Sequence, residues 1–360
     1  MYFQLGVKES RKDFFNFEGE LEGLVRELKK PETRMIVVKG IRRTGKSSLL
    51  RVGLAESRLP HLLLDARAFG PFSPDQLYDM VANSLSRLAA RYRALENLLQ
   101  SVKGVSVSGV TVNFTAKSRL TFLGTLEKLS RWGESTGKPV VLALDEAQEF
   151  MLFPKFDSLL AYVYDSFNGV KLVLSGSEVG VLDLMLGRTK AKAPLFGRPY
   201  FEIEMGRLPK HKAEEFLRAG FEQMGRTAVT ENILEAVDRF DGIIGWLTNY
   251  GYYATRLGHK EAVKKTLEEG ARLIKEELDY FLAQRRQARS RYLGILRMIA
   301  TPLAWSEVKR GLSVRLGVTV SDKQLSRYLS ELVDYGFAVK TDNRYVLADP
   351  LITHALIGAR

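Results

Sequence analysis

The sequence predicts an α/β fold with a parallel sheet that carries helices on both faces, followed by a helical segment and a winged helix-turn-helix. Three observations predict it. Unbroken apolar runs, typical of buried parallel strands, alternate with helical runs over residues 1–206. Helical periodicity fills residues 207–286, and residues 287–360 contain three short helical runs and a terminal hairpin. We therefore divide the chain into these three ranges.

One stretch of the α/β part, from Gly40 to Ser47, fills every fixed position of the phosphate-loop pattern G-x-x-x-x-G-K-[ST]. A β-branched run precedes it and an amphipathic helix follows. Backbone N–H groups of such a loop surround phosphates, Lys46 reaches the β- and γ-phosphates, and the Ser47 hydroxyl ligates Mg²⁺. The sequence therefore predicts a site for a nucleoside triphosphate with Mg²⁺. The residues predicted to bind it are Gly40, Arg42, Arg43, Thr44, Gly45, Lys46, Ser47 and Ser48.

A second apolar run, residues 140–144, ends in the adjacent carboxylates Asp145 and Glu146. Such a run is typical of a strand buried on both faces, whose end meets the phosphate loop at one sheet edge. We expect Asp145 to hold Mg²⁺ through water. Glu146 would orient and deprotonate an attacking water.

Two further positions follow or precede apolar strands. Residues 170–174 run into Ser175-Gly176-Ser177, and either serine would contact the γ-phosphate or the attacking water; we favour Ser177, with a plain turn residue as the alternative. Arg198 precedes the strand at 200–204 and would neutralise charge on the transferred phosphoryl group, with a solvated surface arginine as the alternative.

Composition restricts the remaining chemistry. The 360 residues include no cysteine, which excludes disulfides and thiolate metal sites, and the four histidines lack metal-ligand spacing. Mg²⁺ is thus the only metal implied. No apolar run is long enough to span a bilayer, so we expect a cytoplasmic protein without a membrane partner. The net charge of +12 indicates either an anionic partner or a solvated basic surface.

The rest of the first range and the second range are mainly helical. A long helix is predicted from Asp75 to Gln100, and alternating residues near 103–115 predict an inserted hairpin, either decorative or in contact with a partner. From Pro209 to about Arg286, four helical runs are punctuated by glycines. The four glycines are Gly220, Gly225, Gly242 and Gly258.

The last stretch is basic, with thirteen Lys or Arg against six Asp or Glu in residues 285–360. Ser321 and Gln324 form a predicted capping box that starts the third helix, and a hairpin follows Gly336. This order of elements is typical of a winged helix, which binds either double-stranded DNA or protein. The candidate nucleic-acid contacts are Lys323, Gln324, Arg327, Lys340 and Arg344.

The stretches that begin at Gly40, Leu144, Leu174 and Pro194 together resemble the archaeal ATPase family of the AAA+ superfamily, within the STAND clade. The resemblance runs from about Arg11 to the C-terminus. It implies ATP as the nucleotide, a helical lid and a closing winged helix.

Residue by residue, the resemblance implies phosphate and Mg²⁺ roles for Lys46 and Ser47. It implies the Walker B pair at Asp145 and Glu146. It also implies that Ser177 is the sensor and that Arg198 is the arginine of the family's Gly-Arg motif.

The sequence departs from the family pattern at two positions. Phe17 replaces an N-terminal arginine, so the contacts of that arginine must be made otherwise. Ile244 stands where the lid has a proline near the adenine, which favours looser base selection while leaving nucleotide binding in place.

Two classes of function remain open at this point. One is a Mg²⁺-dependent ATPase switch that binds DNA through its winged helix. The other is an ATPase whose winged helix is an intramolecular or protein-binding clamp, acting with an unknown protein partner. A small-molecule kinase is disfavoured because the adjacent carboxylates Asp145 and Glu146 suit water activation.

Overall fold

A computed structural model describes residues 1–68, 74–188, 192–317 and 320–357 of the chain. The strands are, in chain order, β1 (Met35–Lys39), β2 (His61–Asp65), β3 (Val105–Ser108), β4 (Thr111–Phe114), β5 (Val140–Asp145), β6 (Val170–Gly176), β7 (Phe201–Glu204), β8 (Leu303–Ala304), β9 (Ala338–Thr341) and β10 (Arg344–Leu347). The helices are α1 (Glu18–Lys29), α2 (Lys46–Ser57), α3 (Pro74–Arg91), α4 (Ala94–Gln100), α5 (Arg119–Thr136), α6 (Phe156–Ser166), α7 (Val179–Met185), α8 (Lys210–Gln223), α9 (Thr230–Phe240), α10 (Ile244–Leu257), α11 (His259–Ala283), α12 (Arg289–Met298), α13 (Trp305–Leu316), α14 (Asp322–Asp334) and α15 (Ile352–Ile357).

The central sheet is parallel, as predicted, with the strand order β2-β5-β6-β1-β7 in the described part of the chain. Every residue of β1 and β5 is buried, which explains their unbroken apolar sequence. The register pairs Asp65 with Asp145 and Lys39 with Gly176. Polar residues that follow β1, β2, β5 and β6 therefore collect at the same edge of the sheet.

Alternate strand residues belong to different cores because successive side chains leave opposite faces of a sheet. Val38 joins a core formed with α1, α2, the lid helices and the winged helix. Val37 joins a second core formed with α3 to α6 and the β3–β4 hairpin. Helices thus cover both faces.

Two sequence predictions need correction in detail. The helix predicted from Asp75 to Gln100 is two helices, α3 and α4, separated at Tyr92 and Arg93. Gly220 does not end a helix but lies inside α8. Its Cβ, if present, would collide with the ring of Phe3, as would a Cβ on Gly251 of α10, so these two glycines form a slot that holds this buried ring.

The winged helix at the C-terminal end is confirmed. Helices α12, α13 and α14 precede a sheet of order β8-β10-β9, and the capping box of Ser321 and Gln324 starts α14. The wing turns at Asp342 and Asn343, both with positive φ, as a tight hairpin requires. Helix α15, which the sequence pattern did not predict, packs against α11 of the lid. Among the described helices, none combines the length and apolar character needed to cross a bilayer.

Candidate nucleotide site

The phosphate loop adopts a closed turn between β1 and α2. Gly45 caps α2 with φ of 99°, a conformation that residues with a side chain rarely adopt, and a Cβ on Gly40 would collide with the carbonyl oxygen of Met205. The carbonyl oxygen of Ile41 accepts hydrogen bonds from Thr44 Oγ1 at 2.9 Å and Lys46 Nζ at 2.7 Å. The loop is thus preformed, and the Lys46 ammonium is bound to it.

Lys46 is buried, and burial lowers the pKa of its ammonium to about 8, although Glu146 and Asp145 act in the opposite direction. An anion in the cavity would favour the charged form of Lys46. The position therefore suits an anionic group that replaces the Ile41 carbonyl as partner.

Asp145 lies at the end of β5 with only 2% of its surface exposed. Its Oδ1 has no hydrogen-bond partner among the described residues, and its Oδ2 lies 3.0 Å from Arg67 Nη2. The nearby Ser47 hydroxyl acts to lower the pKa of Asp145. Burial raises the pKa of Asp145 despite these contacts. A buried, unpartnered carboxylate oxygen beside a serine hydroxyl fits a hard cation that prefers oxygen ligands, such as Mg²⁺.

Glu146 follows with φ of 53°, a left-handed conformation uncommon for such a residue. Its Oε2 accepts hydrogen bonds from Gln148 Nε2 at 2.6 Å, Ser177 Oγ at 2.7 Å and the Ser177 backbone N–H at 3.1 Å. Burial acts to raise the pKa of Glu146, but Lys46 and these donors outweigh it and lower the pKa. The carboxylate is therefore ionised near neutral pH, as a general base requires.

A cavity of about 350 Å³ lies beside these groups. The phosphate loop and Glu146 contribute polar lining, and most of the other lining residues are apolar. The predicted binding residues that line it are Arg43, Thr44, Gly45, Lys46, Ser47, Ser48 and Ile244, and the predicted base Glu146 lines it as well. The apolar lining comes from Leu5, Val7, Phe14, Phe15, Phe17, Phe216, Trp246 and Leu273. The size and the mixed polar and apolar lining of the cavity fit a nucleotide whose base contacts the apolar side chains.

The N-terminal segment forms one wall of this cavity. The Lys8 N–H donates to Ser48 Oγ at 3.0 Å, which ties the segment to the phosphate-loop helix, and Phe3 fixes it to the lid. Phe17, which replaces the family's arginine, caps α1 and lines the cavity. The sequence analysis did not predict this role for the N-terminal segment, because the segment has neither helical nor strand periodicity.

The guanidinium groups of Arg42 and Arg43, two of the predicted binding residues, have partners on other elements of the protein. Arg42 donates to the carbonyl oxygen of Tyr335 and to Glu178, each at 2.8 Å, and does not line the cavity. Arg43 pairs with Glu277 at 2.8 Å and lies over the ring of Trp246, 4.4 Å from its centroid. Only their backbone remains with the loop, because the lid and winged helix supply partners for both guanidinium groups.

The two candidate sensor serines differ in their contacts, and Arg198 lies away from the site. Ser177 contacts Glu146, whereas Ser175 is fully buried with an unpartnered Oγ. Arg198 pairs with Asp165 at the end of α6. Because α6 runs antiparallel to the strands, this pair lies at the amino edge of the sheet, opposite the phosphate loop.

Three functional candidates were missed in the sequence. Arg67 and Glu178 follow β2 and β6, so they lie at the carboxyl edge of the sheet, where ligands bind. They could have been found by taking the polar residues that follow each predicted strand. Gln148, two residues after the predicted base, is buried and donates to it. Each is polar and close to a predicted site residue.

The candidate nucleic-acid residues lie on the exposed side of the winged helix. Lys323, Gln324 and Lys340 are exposed, with the Lys340 ammonium 5.7 Å from the ring centroid of Tyr345. The exposed Arg327 and Arg344 pair with Glu331 at 2.9 Å and Glu307 at 3.3 Å. Two of the four cations are thus partly neutralised within the domain.

A parallel sheet of order β2-β5-β6-β1-β7, a preformed phosphate loop and adjacent carboxylates at the end of β5 define a P-loop ATPase-type site. Comparisons agree. The structure aligns with a Walker-type ATPase of Pyrococcus abyssi over 99% of this chain and 100% of that one, with a TM-score of 0.81 and 31% sequence identity. The chain belongs to this family of Walker-type ATPases, as the motifs predicted. The STAND assignment stays a prediction.

Two more distant structures show the same fold. The Aeropyrum pernix ORC2 protein, solved as ADPNP–ADP complexes, aligns over 98% of this chain and 97% of its own with a TM-score of 0.59 and 14% identity. Its ADP form gives a TM-score of 0.53, 13% identity and the same coverage. The family of the MCM protein C-terminal winged helix-turn-helix domain matches residues 286–347. No curated protein matches the sequence.

Proposed function

We propose that the chain binds ATP with Mg²⁺ and hydrolyses it. The observation that carries this proposal is the Glu146 carboxylate, which is oriented by hydrogen bonds from Ser177 and Gln148 and lines the same cavity as Lys46. The phosphates would replace the Ile41 carbonyl oxygen as the hydrogen-bond acceptor of Lys46 Nζ. Ser47 and Asp145 would hold Mg²⁺, which supplies charge neutralisation to the phosphate oxygens.

In the hydrolytic step, Glu146 accepts a proton from water as the water oxygen bonds to the γ-phosphorus. The bond from that phosphorus to the β–γ bridging oxygen breaks, and ADP leaves with its electron pair. Ser177 and Gln148 hold Oε2, so Oε1 is the oxygen free to face water in the described site. The test is turnover by a Glu146 variant, described in the Discussion.

Base selection gives a first prediction. Ile244 is the first residue of α10 and lines the cavity, a helical position that accepts proline well. Ile244→Pro fixes the backbone there and is expected to raise the preference for ATP over GTP by about two- to three-fold, because a rigid wall fits one base better. Competition binding measures it, with Ile244→Ala as the comparison that removes contact without rigidity. Unchanged discrimination in the proline variant would contradict the idea.

We further propose that nucleotide state is coupled to the winged helix. A continuous set of contacts supports this: Glu146 binds Ser177, the next residue Glu178 binds Arg42, and Arg42 binds the Tyr335 carbonyl just after α14. Burial raises the pKa of Glu178 to about 7, although Arg42 acts in the opposite direction. A group that moves Glu146 would therefore disturb the contact between core and winged helix, as expected of a switch.

DNA binding is proposed as the second activity because the docked winged helix leaves one face free. Its contact with the core uses the C-terminal end of α14 at Asp334, Tyr335 and Gly336, whereas Lys323 and Lys340 are exposed. Docking on the core and binding of a duplex are therefore sterically compatible. A protein partner on the same face is the alternative.

Salt dependence of duplex binding gives a second prediction. If the four cations of this face meet phosphates, the slope of log K against log salt is about −3.6, at roughly 0.9 per phosphate. Lys340→Ala is expected to flatten the slope by about one, and Arg327→Ala by less, because Glu331 already neutralises part of its charge. Fluorescence anisotropy with the full chain measures both, and Lys260→Ala on α11 is the control. Absence of duplex affinity at low salt would support the protein-binding clamp.

A further inference from the structure

We propose that Arg67 is a positioning residue that competes with Mg²⁺ for Asp145 and so sets the Mg²⁺ concentration that nucleotide binding requires. The inference rests on the proposed ATP site. It begins with the register of β2 and β5, which places Asp65 beside Asp145 at the carboxyl edge. Two neighbouring carboxylates repel each other, so a cation at this edge stabilises both.

Arg67 supplies that cation from a short 3₁₀ turn after β2. Its backbone N–H donates to Asp65 Oδ1 at 3.1 Å, and its side chain grips the same carboxylate through Nε at 2.9 Å and Nη2 at 2.7 Å. This two-pronged contact fixes the plane of the guanidinium. The same Nη2 then reaches Asp145 Oδ2 at 3.0 Å.

Asp145 depends on this contact. Among the described residues, Arg67 makes the only ion pair with Asp145, whose other oxygen is buried without a partner. A buried carboxylate without a cation is strongly disfavoured. Arg67 therefore offsets part of the free-energy cost of burying the Asp145 carboxylate when no metal is bound.

The same contact opposes metal binding. Ser47 and the unpartnered Oδ1 of Asp145 fit Mg²⁺, and a divalent cation there would face the guanidinium across one carboxylate. Because Asp65 retains Arg67, the guanidinium stays near instead of leaving. Mg²⁺ must weaken the Arg67–Asp145 contact to bind tightly. The Arg67 side chain is 44% exposed and lines the same cavity as the phosphate loop.

The test titrates Mg²⁺ into full-length protein with a fluorescent ATP analogue and records the midpoint. Arg67→Gln is expected to lower the Mg²⁺ midpoint about five-fold, the equivalent of one partly exposed ion pair. Arg67→Lys, whose ammonium cannot hold both carboxylates in a fork, is expected to lower it less. Arg51→Gln is the matched control, because Arg51 lies 3.4 Å from Asp65 and forms no ion pair with Asp145 in the described part of the chain.

A second readout separates competition from a general structural role. Without metal, Arg67→Gln leaves Asp145 without its cation, so the melting temperature of the variant is expected to fall below that of the wild type. With Mg²⁺ and the analogue both bound, the variant and the wild type are expected to melt at the same temperature. An unchanged or raised Mg²⁺ midpoint in Arg67→Gln, beside a wild-type chain that binds the analogue, overturns the inference alone. A wild-type chain that binds no nucleotide at any Mg²⁺ concentration overturns the proposed function and the inference together.

Discussion

Glu146→Gln is expected to reduce ATP turnover by at least about 100-fold while ATP affinity stays within about two-fold of wild type. The amide cannot accept a proton from water, yet it keeps the size of the side chain. Asp145 and Ser47, the proposed Mg²⁺ ligands, are untouched. Steady-state phosphate release and equilibrium binding of a fluorescent ATP analogue measure the two quantities separately.

Two comparison variants make this result interpretable. Lys46→Ala removes the ammonium that would meet the phosphates, so binding itself is expected to be lost. Glu149→Gln changes a nearby carboxylate that makes no contact with Ser177 among the described residues, and turnover there is expected to stay near wild type. Wild-type turnover by Glu146→Gln would show that another group is the base.

Gly180→Ala is expected to separate the end of α14 from α7 and to raise nucleotide turnover or exchange several-fold. A Cβ on Gly180 would collide with Asp334, including its Cα, so the backbone of the winged helix must move. The residue lies in α7, where alanine is conformationally acceptable. The shift breaks the neighbouring contact of Arg42 with the Tyr335 carbonyl, which is proposed to couple the core to the winged helix.

Turnover and limited proteolysis across residues 284–288, which join α11 to α12, measure this release. Gly19→Ala is the matched control, because no atom lies within 4 Å of its ideal Cβ. Arg42→Ala removes the same contact from the other side without a steric wedge and is expected to act in the same direction. Wild-type turnover and proteolysis in both variants would mean that the docked winged helix has no control over the nucleotide site.

The sequence predicted those parts of the site that a short local pattern specifies. A glycine-rich turn between a buried strand and a helix has few alternatives, so the conformation of the loop around Gly45 and Lys46 follows from residue type alone. The same holds for Asp145 and Glu146, which end a strand buried on both faces. The capping box at Ser321 likewise specified the start of α14.

The contacts between charged groups, in contrast, depend on the three-dimensional fold. Arg42 and Tyr335 are separated by 293 residues. Nothing in the loop pattern indicates that the Arg42 guanidinium binds the winged helix. Arg198 was assigned from its motif, but the direction of α6 places its partner Asp165 at the opposite sheet edge.

For the same reason Arg67 became visible only once β2 and β5 were neighbours, because parallel strands adjacent in space are distant in sequence. The class of fold, the phosphate loop, its two carboxylates and the winged helix could therefore be predicted from the sequence, since local backbone and burial preferences specify each. The partners of the arginines, the N-terminal wall of the cavity and the docking of the winged helix were decided by tertiary structure, because long side chains pair with whatever opposite charge strand order and domain contacts bring within reach.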